Sequence, residues 1–546
     1  MKDELSTMYA DQLEGTYECP DRIVLDAHYR PCSNGGGMRC WWRSLHGDDS
    51  NLDKPHLVRM AGRLNRRVKA YAEKHQIPLI YSNRRSRKHE IAEEYIPSDP
   101  TRTGLFLVII SRASGAVWDV EHTVDGRIKR LVRNYRSINH LFFHIIDSEW
   151  GHITIRMSSH PPFAAMVILN GHEYIARQAA AQGIEVHQNS NCFTSIMDGT
   201  DLARIAETSY APHTIGQLRQ VCDRWLNSCL HFALSAEEQL RSGFAYNYAL
   251  FQLEFSRNLL FHQPTQMEQI FNSILDRSRS LLDIKQLKTI FGRKRRPHRK
   301  KAHSTHPITE ECRFERPTYN MSIFKLRFGP VTLKLYTKGE ALLRSEVMVN
   351  NVRRLHKRYS LANASALFSY LRGVLYRFLN QLAGIASAFV HDEQLATLHA
   401  PSPLGKASVA GLALHQPRLR AVMHAVVALA PQPRGFSISQ LAQLVRQRLQ
   451  LPDEAYSPHN AAYDLRKLRA KLLVDKIGGS RRYQPSADGL RTITALLLLH
   501  EQVRQPLLAA ASRPQADQPK TDLDIQYGKV QAELHQLYSM LGFAVS

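Results

Sequence analysis

Four side chains at alternate positions within 331–351 could together cleave or join a phosphodiester: Lys334, Tyr336, Arg344 and Glu346. In metal-assisted phosphoryl transfer a carboxylate holds a divalent ion, a cation stabilises the charge that builds on the phosphoryl oxygens, and a hydroxyl or water attacks phosphorus. Glu346 is the metal ligand in that scheme, Arg344 and Lys334 are phosphate clamps, and Tyr336 is a candidate nucleophile. Glu254 is the candidate second ligand. It stands in the aromatic and apolar run from Phe244 to Phe255 and precedes Asn258 by four residues, as Glu346 precedes Asn350, a faint internal repeat. Paired carboxylates flanked by amides suit Mg²⁺ or Mn²⁺, and no organic cofactor is expected. The plainer alternative is two unrelated strands, each with a surface glutamate, on which charge pairs such as Lys334 with Glu346 contribute some tenths of a kcal/mol.

The element that must position these groups is a β-hairpin. Val331, Leu333 and Leu335 alternate with Thr332, Lys334 and Tyr336, and Leu343, Val347 and Val349 alternate with Arg344, Glu346 and Asn350, which is the period of two half-buried strands. A three-residue turn at Gly339, Glu340 and Ala341 sets Leu333 opposite Val347 on a core face, and Lys334 opposite Glu346 and Tyr336 opposite Arg344 on the other. Lys338 and Asn350 lie at the margins of that second face. Glu254 belongs to another strand, over 244–255.

The order Leu335-Tyr336-x-Lys338, a turn, then Leu343-Arg344-x-Glu346-Val347 resembles a motif of rolling-circle replication initiators from small plasmids and filamentous phages. There a Tyr-x-Lys strand precedes an Arg-x-Glu strand in a DNA-nicking domain. The resemblance covers about these twenty residues, and it supports Glu346 most and Tyr336 least. The His-hydrophobic-His pair of those nicking enzymes is absent. More of the chain, from Phe244 to Arg296 and at the C-terminal end, resembles a family of uncharacterised bacterial, mobile-element-associated proteins whose C-terminal part is of winged-helix type.

The bulk properties favour a polyanionic partner. The 546 residues carry 72 Lys and Arg against 49 Asp and Glu, a net charge of +23, so nucleic acid, double-stranded DNA in the first instance, is the expected partner. Hydrophobic residues at 43% and charged residues at 22% are ordinary for a globular chain. Seven sparse cysteines, at 19, 32, 40, 192, 222, 229 and 312, read as reduced thiols of a cytoplasmic, nucleoid-associated protein. No signal peptide opens the sequence and no apolar run approaches the ~20 residues of a membrane span, so no membrane partner is expected.

The fold class expected is α+β and multidomain, with antiparallel sheet in the N-terminal and central regions. Residues 1–100 read as an irregular, helical and basic region, with Asn34-Gly35-Gly36-Gly37 as a flexible turn and a basic helix over 54–76 followed by Arg84-Arg85-Ser86-Arg87-Lys88. Cys19, His28, Cys32, Cys40 and His46 lack the paired spacing of a zinc site. An α+β domain over 101–200 has strands at 105–110, 141–146, 152–157 and 166–169 and a helix over 172–182. Its His140, His144, His152 and His160 read as structural or surface residues. Residues 201–292 are helical plus a strand, and 311–400 form an α+β region that pairs with 240–290. Between them, the linker 293–310 carries Arg293, Lys294, Arg295, Arg296, Arg299, Lys300 and Lys301, a mobile run expected to order on a phosphate backbone.

After a linker at 401–417, residues 418–490 read as a winged helix. One helix ends at Pro431, Ser437 to Gln440 offers a capping box for a second, and Ser457-Pro458 starts a third. In the third helix Ala461, Leu465, Leu468 and Leu472 face inward, leaving Asn460, Tyr463, Arg466, Lys467 and Lys471 for DNA, with Arg481 and Arg482 on the wing. The C-terminal helices of 491–546 could form a homodimer. The expectation is a mobile-element or replicon protein that binds a site through the winged helix and processes DNA there. The alternatives are a non-enzymatic regulator or assembly factor, and an RNA-binding protein.

Overall fold

The computed structural model describes residues 3–99, 101–125, 127–188, 191–196, 199–281, 290–291, 310–318, 321–386, 397–405, 407–504 and the short pieces 525–526, 528–530 and 532–533. The chain divides into two compact units, one of Tyr9–Glu268 with Leu287–Tyr376, the other of Met1–Met8, Gln269–Gln286 and Arg377–Ser546.

The first unit is α+β and built on one sheet. Its strands are β1 (Leu13–His28), β2 (Leu79–Tyr81), β3 (Gly104–His122), β4 (Ile128–Asp147), β5 (Gly151–Ser158) and β6 (Ala165–Leu169) in the first part of the chain. The small pair β7 (Val186–Gln188) and β8 (Phe193–Ile196) forms its own sheet. Then come β9 (Asn247–Phe261), β10 (Ile290–Phe291), β11 (Glu310–Thr318), β12 (Met321–Phe328), β13 (Val331–Lys338) and β14 (Leu342–Val349). Twelve strands join in the order β10-β11-β12-β13-β14-β9-β1-β6-β5-β4-β3-β2, antiparallel except where β2 meets β3 and β10 meets β11. Segments expected to be separate regions therefore share a single sheet. The pairing of 311–400 with 240–290 is present as β14 on β9.

The two faces of the sheet differ. Ile23, Leu25, Ile153, Ile155, Val167, Leu253, Phe255, Leu333 and Val347 point to one face and are all within 1% of full burial. Helices cover them: Phe232, just past helix Pro212–Leu230, stacks on Phe143, Tyr71 of helix Lys54–Lys74 meets Phe232, and Phe368 of helix Ala364–Ala386 lies on Phe255. Each large apolar side chain so buried contributes roughly 1.5–3 kcal/mol. On the other face, β5 and β6 alternate buried with half-buried positions, so His152, Thr154, Arg156, Met166 and Ile168 remain partly open.

Residues 1–60 are not irregular, which corrects the sequence reading. β1 is central, with β9 on one side and β6 on the other. Pro20 and Asp21 interrupt the alternation that would mark a strand through Cys19-Pro20-Asp21-Arg22. The structure absorbs them in an irregularity between Cys19 and Arg22, where an extra residue lets proline sit without breaking the ladder. Asn34-Gly35-Gly36-Gly37 is likewise not a loose turn. Asn34 caps helix Gly35–His46 by accepting from Gly37 N at 2.9 Å, and any β-carbon at position 37 would strike the Pro31 carbonyl at 1.8 Å. β3 and β4 also run far beyond the apolar stretches 105–110 and 141–146, as a ribbon reaching His122 and Ile128.

In the second unit, helices Pro417–Leu429, Ile438–Leu449 and Pro458–Ala470 precede a hairpin of Val474–Lys476 and Tyr483–Pro485. Ser437 and Gln440 make the expected reciprocal cap, and Ser457 caps the third helix. The core joins Leu419, Val422, Val426, Leu441, Val445, Ala461, Leu465 and Leu468 with Leu490, Ile493 and Leu497 of helix Ala487–Leu498. Leu490, Ile493 and Leu497 of that last helix are buried inside its own unit. Most of 505–546, including the helix expected near 523–541, lies outside the described residues. Among the described residues no helix is long and apolar enough to cross a membrane.

Candidate functional site

The hairpin forms in the register that alternation and the Gly339 turn require, with Leu333 opposite Val347, Lys334 opposite Glu346 and Tyr336 opposite Arg344. Gly339 takes a φ of +62°, the left-handed conformation such a turn favours in glycine. β14 then lies on β9 with Arg344 opposite Asn258, Glu346 opposite Ser256 and Met348 opposite Glu254. β9 lies on β1 with Asn258 opposite Tyr17, Ser256 opposite Cys19 and Glu254 opposite Arg22. Three neighbouring strands, β13, β14 and β9, thus bring Lys334, Tyr336, Arg344, Glu346 and Glu254 to one face. The second half of the supposed repeat is absent, since Asn350 is exposed beyond the end of β14 while Asn258 is buried at Arg344.

This face is not a solvated row of charge pairs. Arg344 is 0% exposed, Glu346 4% and Tyr336 9%. Both carboxylate oxygens of Glu346 are engaged, by Lys334 Nζ at 2.8 Å and by Tyr336 Oη at 2.8 Å. Burial opposes the Glu346 charge, but Lys334, Arg344 and these hydrogen bonds outweigh it and hold the group below the usual carboxylate range. Glu254, half-buried beside Gln252, is pushed the other way, by burial first and by the charge of Glu346 second. Two carboxylates of which one depresses the ionisation of the other are a place where a divalent cation gains.

Arg344 does not serve as an exposed phosphate clamp. Its Nη2 lies 2.6 Å from Asp21 Oδ2 and its Nη1 donates to the Asn191 carbonyl at 2.5 Å. Asp21 also accepts from Ser256 Oγ at 2.9 Å and lies 3.4 Å from His172 Nδ1. Burial above all pushes the Asp21 carboxyl up to about 7, against the pull of Arg344. Tyr17 Oη and Cys19 Sγ complete the shell around His172 at 3.3 and 3.2 Å. Among the described residues, Asn258 Oδ1 and Arg344 Nε are buried without a hydrogen-bond partner. Asp21, His172 and Tyr17 carried no signal in the sequence, and Cys19 was weighed only against a zinc site. They become visible only once the irregularity in β1 turns Asp21 toward β14.

Cys19, Asp21 and His172 place ligand atoms within 4.8 Å of one another. They do not suit a metal, because Asp21 is already matched by Arg344 and Ser256 and the imidazole lies against two cations, Arg344 and Lys338, that drive it far below its ordinary range after burial has done most of the work. The oxygen donors of Glu254 and Glu346 suit Mg²⁺ or Mn²⁺ better. Tyr336 is a poor nucleophile here, since burial raises its phenol and its hydroxyl is given to Glu346. Lys334, with its side chain 21% exposed, is the cation that reaches the surface.

A second buried cluster lies on the helix-covered face, one residue from Cys19. Glu18 accepts from Tyr210 Oη at 2.9 Å and Tyr376 Oη at 2.5 Å and pairs with Arg372 Nε at 2.7 Å. The histidines read as structural are buried or half-buried in the sheet: His144 Nδ1 meets His152 Nε2 at 3.0 Å, and His160 Nε2 accepts from Trp118 N at 3.0 Å. Cys32 and His28 line a cavity with His140 and His160 and bear no relation to Cys40, which is exposed.

In the second unit Tyr463, Arg466 and Arg481 are exposed as expected, Asn460 is half-buried, and Lys467 sits 4.7 Å from the Tyr463 ring. Two assignments need correction. Lys471 is not available to a partner, because its Nζ donates to Thr397 O, Ala400 O and Ser402 Oγ at 2.5–2.7 Å. Arg482 donates to Gly435 O at 2.9 Å and so braces the hairpin. Leu472 does not face inward either. The helix ends at Ala470, and Leu472 takes a φ of +58° and is 76% exposed. Asp464, buried and held by Arg418 and Tyr456 at 2.8 and 2.9 Å, was not among the residues expected to matter. Arg293, Lys294, Arg295, Arg296, Arg299, Lys300 and Lys301 lie outside the described residues.

No protein-family model, no curated protein and no solved structure matches this chain, so the geometry above stands without a relative to interpret it.

Proposed function

We propose that this chain is a DNA-binding protein of a mobile element or replicon that cleaves or transfers a DNA strand at the Glu254–Glu346 site in a metal-dependent reaction. The observation that carries this reading is that two carboxylates from adjacent strands share one sheet face with Lys334, the charge of Glu346 opposing ionisation of Glu254. Glu254 and Glu346 would hold Mg²⁺ or Mn²⁺, which supplies Lewis acidity toward a phosphoryl oxygen. Lys334 would meet the phosphate, Tyr336 orients Glu346, and Arg344 fixes the strand geometry from beneath through Asp21 and Asn191. The order of helices and hairpin in 417–485, with Tyr463, Arg466 and Arg481 exposed, supports reading that part as a winged helix that selects the DNA. The net charge of +23 supports a large electrostatic share of affinity.

A second reading, a regulator or assembly factor without chemistry, is favoured by one observation: Lys334 and Tyr336 already occupy both oxygens of Glu346. One experiment separates the two. Purified protein is incubated with supercoiled plasmid bearing its flanking DNA, with Mg²⁺, Mn²⁺ or chelator, beside Glu346→Gln and Glu254→Gln proteins. Metal-dependent nicking that both variants lose while still binding DNA and melting like the parent supports the enzyme. Binding without nicking supports the regulator. Affinity that does not change between about 50 and 200 mM salt would overturn nucleic-acid binding in both readings.

A further inference from the structure

We propose that the cavity between β1 and the β3–β4 ribbon holds one nucleotide, its base against Trp118 and Tyr135 and its phosphate on Arg133 and Arg156. The cavity encloses about 460 Å³, the size of a small-molecule site. Ala116 pairs with Tyr135, and Trp118 with Arg133, across β3 and β4, so an indole, a phenol and a guanidinium stand together on the ribbon wall. Trp118 is buried and braced through its backbone N–H to His160, whereas Tyr135 is 73% exposed and free to close over a bound ring. Aromatic faces of this kind stack bases of any sequence.

The charges define the rest of the ligand. Arg156 is half-buried, and among the described residues no carboxylate lies within ion-pair distance of it or of Arg133; its guanidinium only approaches the Phe142 ring, at 5.8 Å. A guanidinium deprived of water without an acid beside it favours an incoming anion. Arg353, on the same cavity, is already matched by Asp26 at 3.1 Å. Two ring nitrogens, His140 Nε2 and His28 Nδ1, are buried without a hydrogen-bond partner among the described residues. The His140 ring bonds the Ser114 backbone, and burial with the nearby Arg156 keeps it neutral down to about 4, so Nε2 is left as an acceptor suited to an amino N–H. A planar ring with a hydrogen-bonding edge and an attached anion is a nucleotide.

The placement also relates the cavity to the carboxylate pair. Arg22, Val24 and Asp26 share the open face of β1, Arg22 lies opposite Glu254 and Asp26 lines the cavity, four residues or about 13 Å further along the strand. A single strand anchored by one base in the cavity would therefore run past Glu254. The proposal rests on nucleic acid being the partner, and it does not require that the carboxylates cut.

The test is binding of a labelled, roughly 12-nucleotide single strand to the full chain by fluorescence anisotropy, beside Tyr135→Ala and Arg156→Gln. Each variant should melt like the parent and bind the strand about tenfold or more weakly. Competition with dAMP and TMP identifies the source. Displacement of the strand at comparable concentration assigns a free nucleotide, and failure to displace assigns a nucleotide within a strand. The parent in chelator, where no metal-dependent cutting can occur, should bind the strand and lose it on Tyr135→Ala or Arg156→Gln even if plasmid is never nicked, which keeps this proposal apart from the cleavage reading. A parent that does not bind the strand, or variants that bind it as the parent does, overturns it.

Discussion

Two buried acids on β1, three residues apart, are satisfied in opposite ways. Glu18, on the helix-covered face, has two tyrosine hydroxyls and the Arg372 guanidinium around it, a set that fills a carboxylate with short hydrogen bonds. Asp21, on the face that carries the carboxylate pair, depends on a fully buried arginine, and among the described residues the same cluster leaves Asn258 Oδ1 and Arg344 Nε without a hydrogen-bond partner. A finished polar network holds helices onto a sheet. An unfinished one is kept where charge must be rearranged, and the second lies beside Glu346 and Glu254.

The sharpest way to break this contrast is to remove the arginines one at a time. Arg344→Met leaves Asp21 buried without its ion-pair partner, so that the carboxyl must take up a proton or stay charged unpaired, and should cost about 3–5 kcal/mol in urea denaturation above pH 7. Arg372→Met leaves Glu18 with both tyrosines and should cost about 1–2 kcal/mol. Equal losses would mean that the two clusters do the same structural work.

The next largest effect concerns pH. Asp21 titrates at about 7 in the fold, above its value in the unfolded chain, so the folded state holds the proton more tightly. The Asp21 contribution to stability should be fully present below about pH 4, where both states are protonated, and should be lost as pH rises from there to 7, by up to a few kcal/mol, then level off. Asp21→Asn should flatten that slope in denaturation curves taken across the window. A slope that survives the substitution assigns it to another group.

The smallest effect is the most discriminating for mechanism. Tyr336→Phe removes one hydrogen bond to Glu346 and should cost about 1 kcal/mol. If Tyr336 only orients Glu346, nicking should persist at a reduced rate. Complete loss of nicking, with covalent protein–DNA adducts in the parent, would restore it as the attacking group.

What the sequence revealed follows from how local the signal was. The hairpin, its register and the convergence of Lys334, Tyr336, Arg344 and Glu346 were legible, because alternation and one glycine turn decide them within twenty residues, whereas Glu254 was joined to them through a repeat whose second half is absent. The caps at Ser437 and Ser457 were legible for the same reason. β1 was not, because its partners are remote and Pro20 disguises the irregularity that aims Asp21. Burial was misjudged on the second face, since alternating polar residues look the same whether water or Asn191 and His172 cover them. Lys471 was misassigned because a basic residue after a helix gives no sign of three oxygen acceptors lying seventy residues earlier.

The central position of β1 has a consequence for how the protein is made. Leu13 pairs with Phe261, so the strand around which the sheet closes leaves the ribosome 248 residues before its partner. At ordinary elongation rates that is a wait of roughly 10–50 s. Through that interval Ile23, Leu25 and Ala27 lack β9, β6 arrives only midway, and the covering helix Ala364–Ala386 follows later still. Yield of folded protein should therefore depend on translation speed and chaperone supply more than on the stability of the finished sheet, and slowing synthesis downstream of residue 169 should lower it.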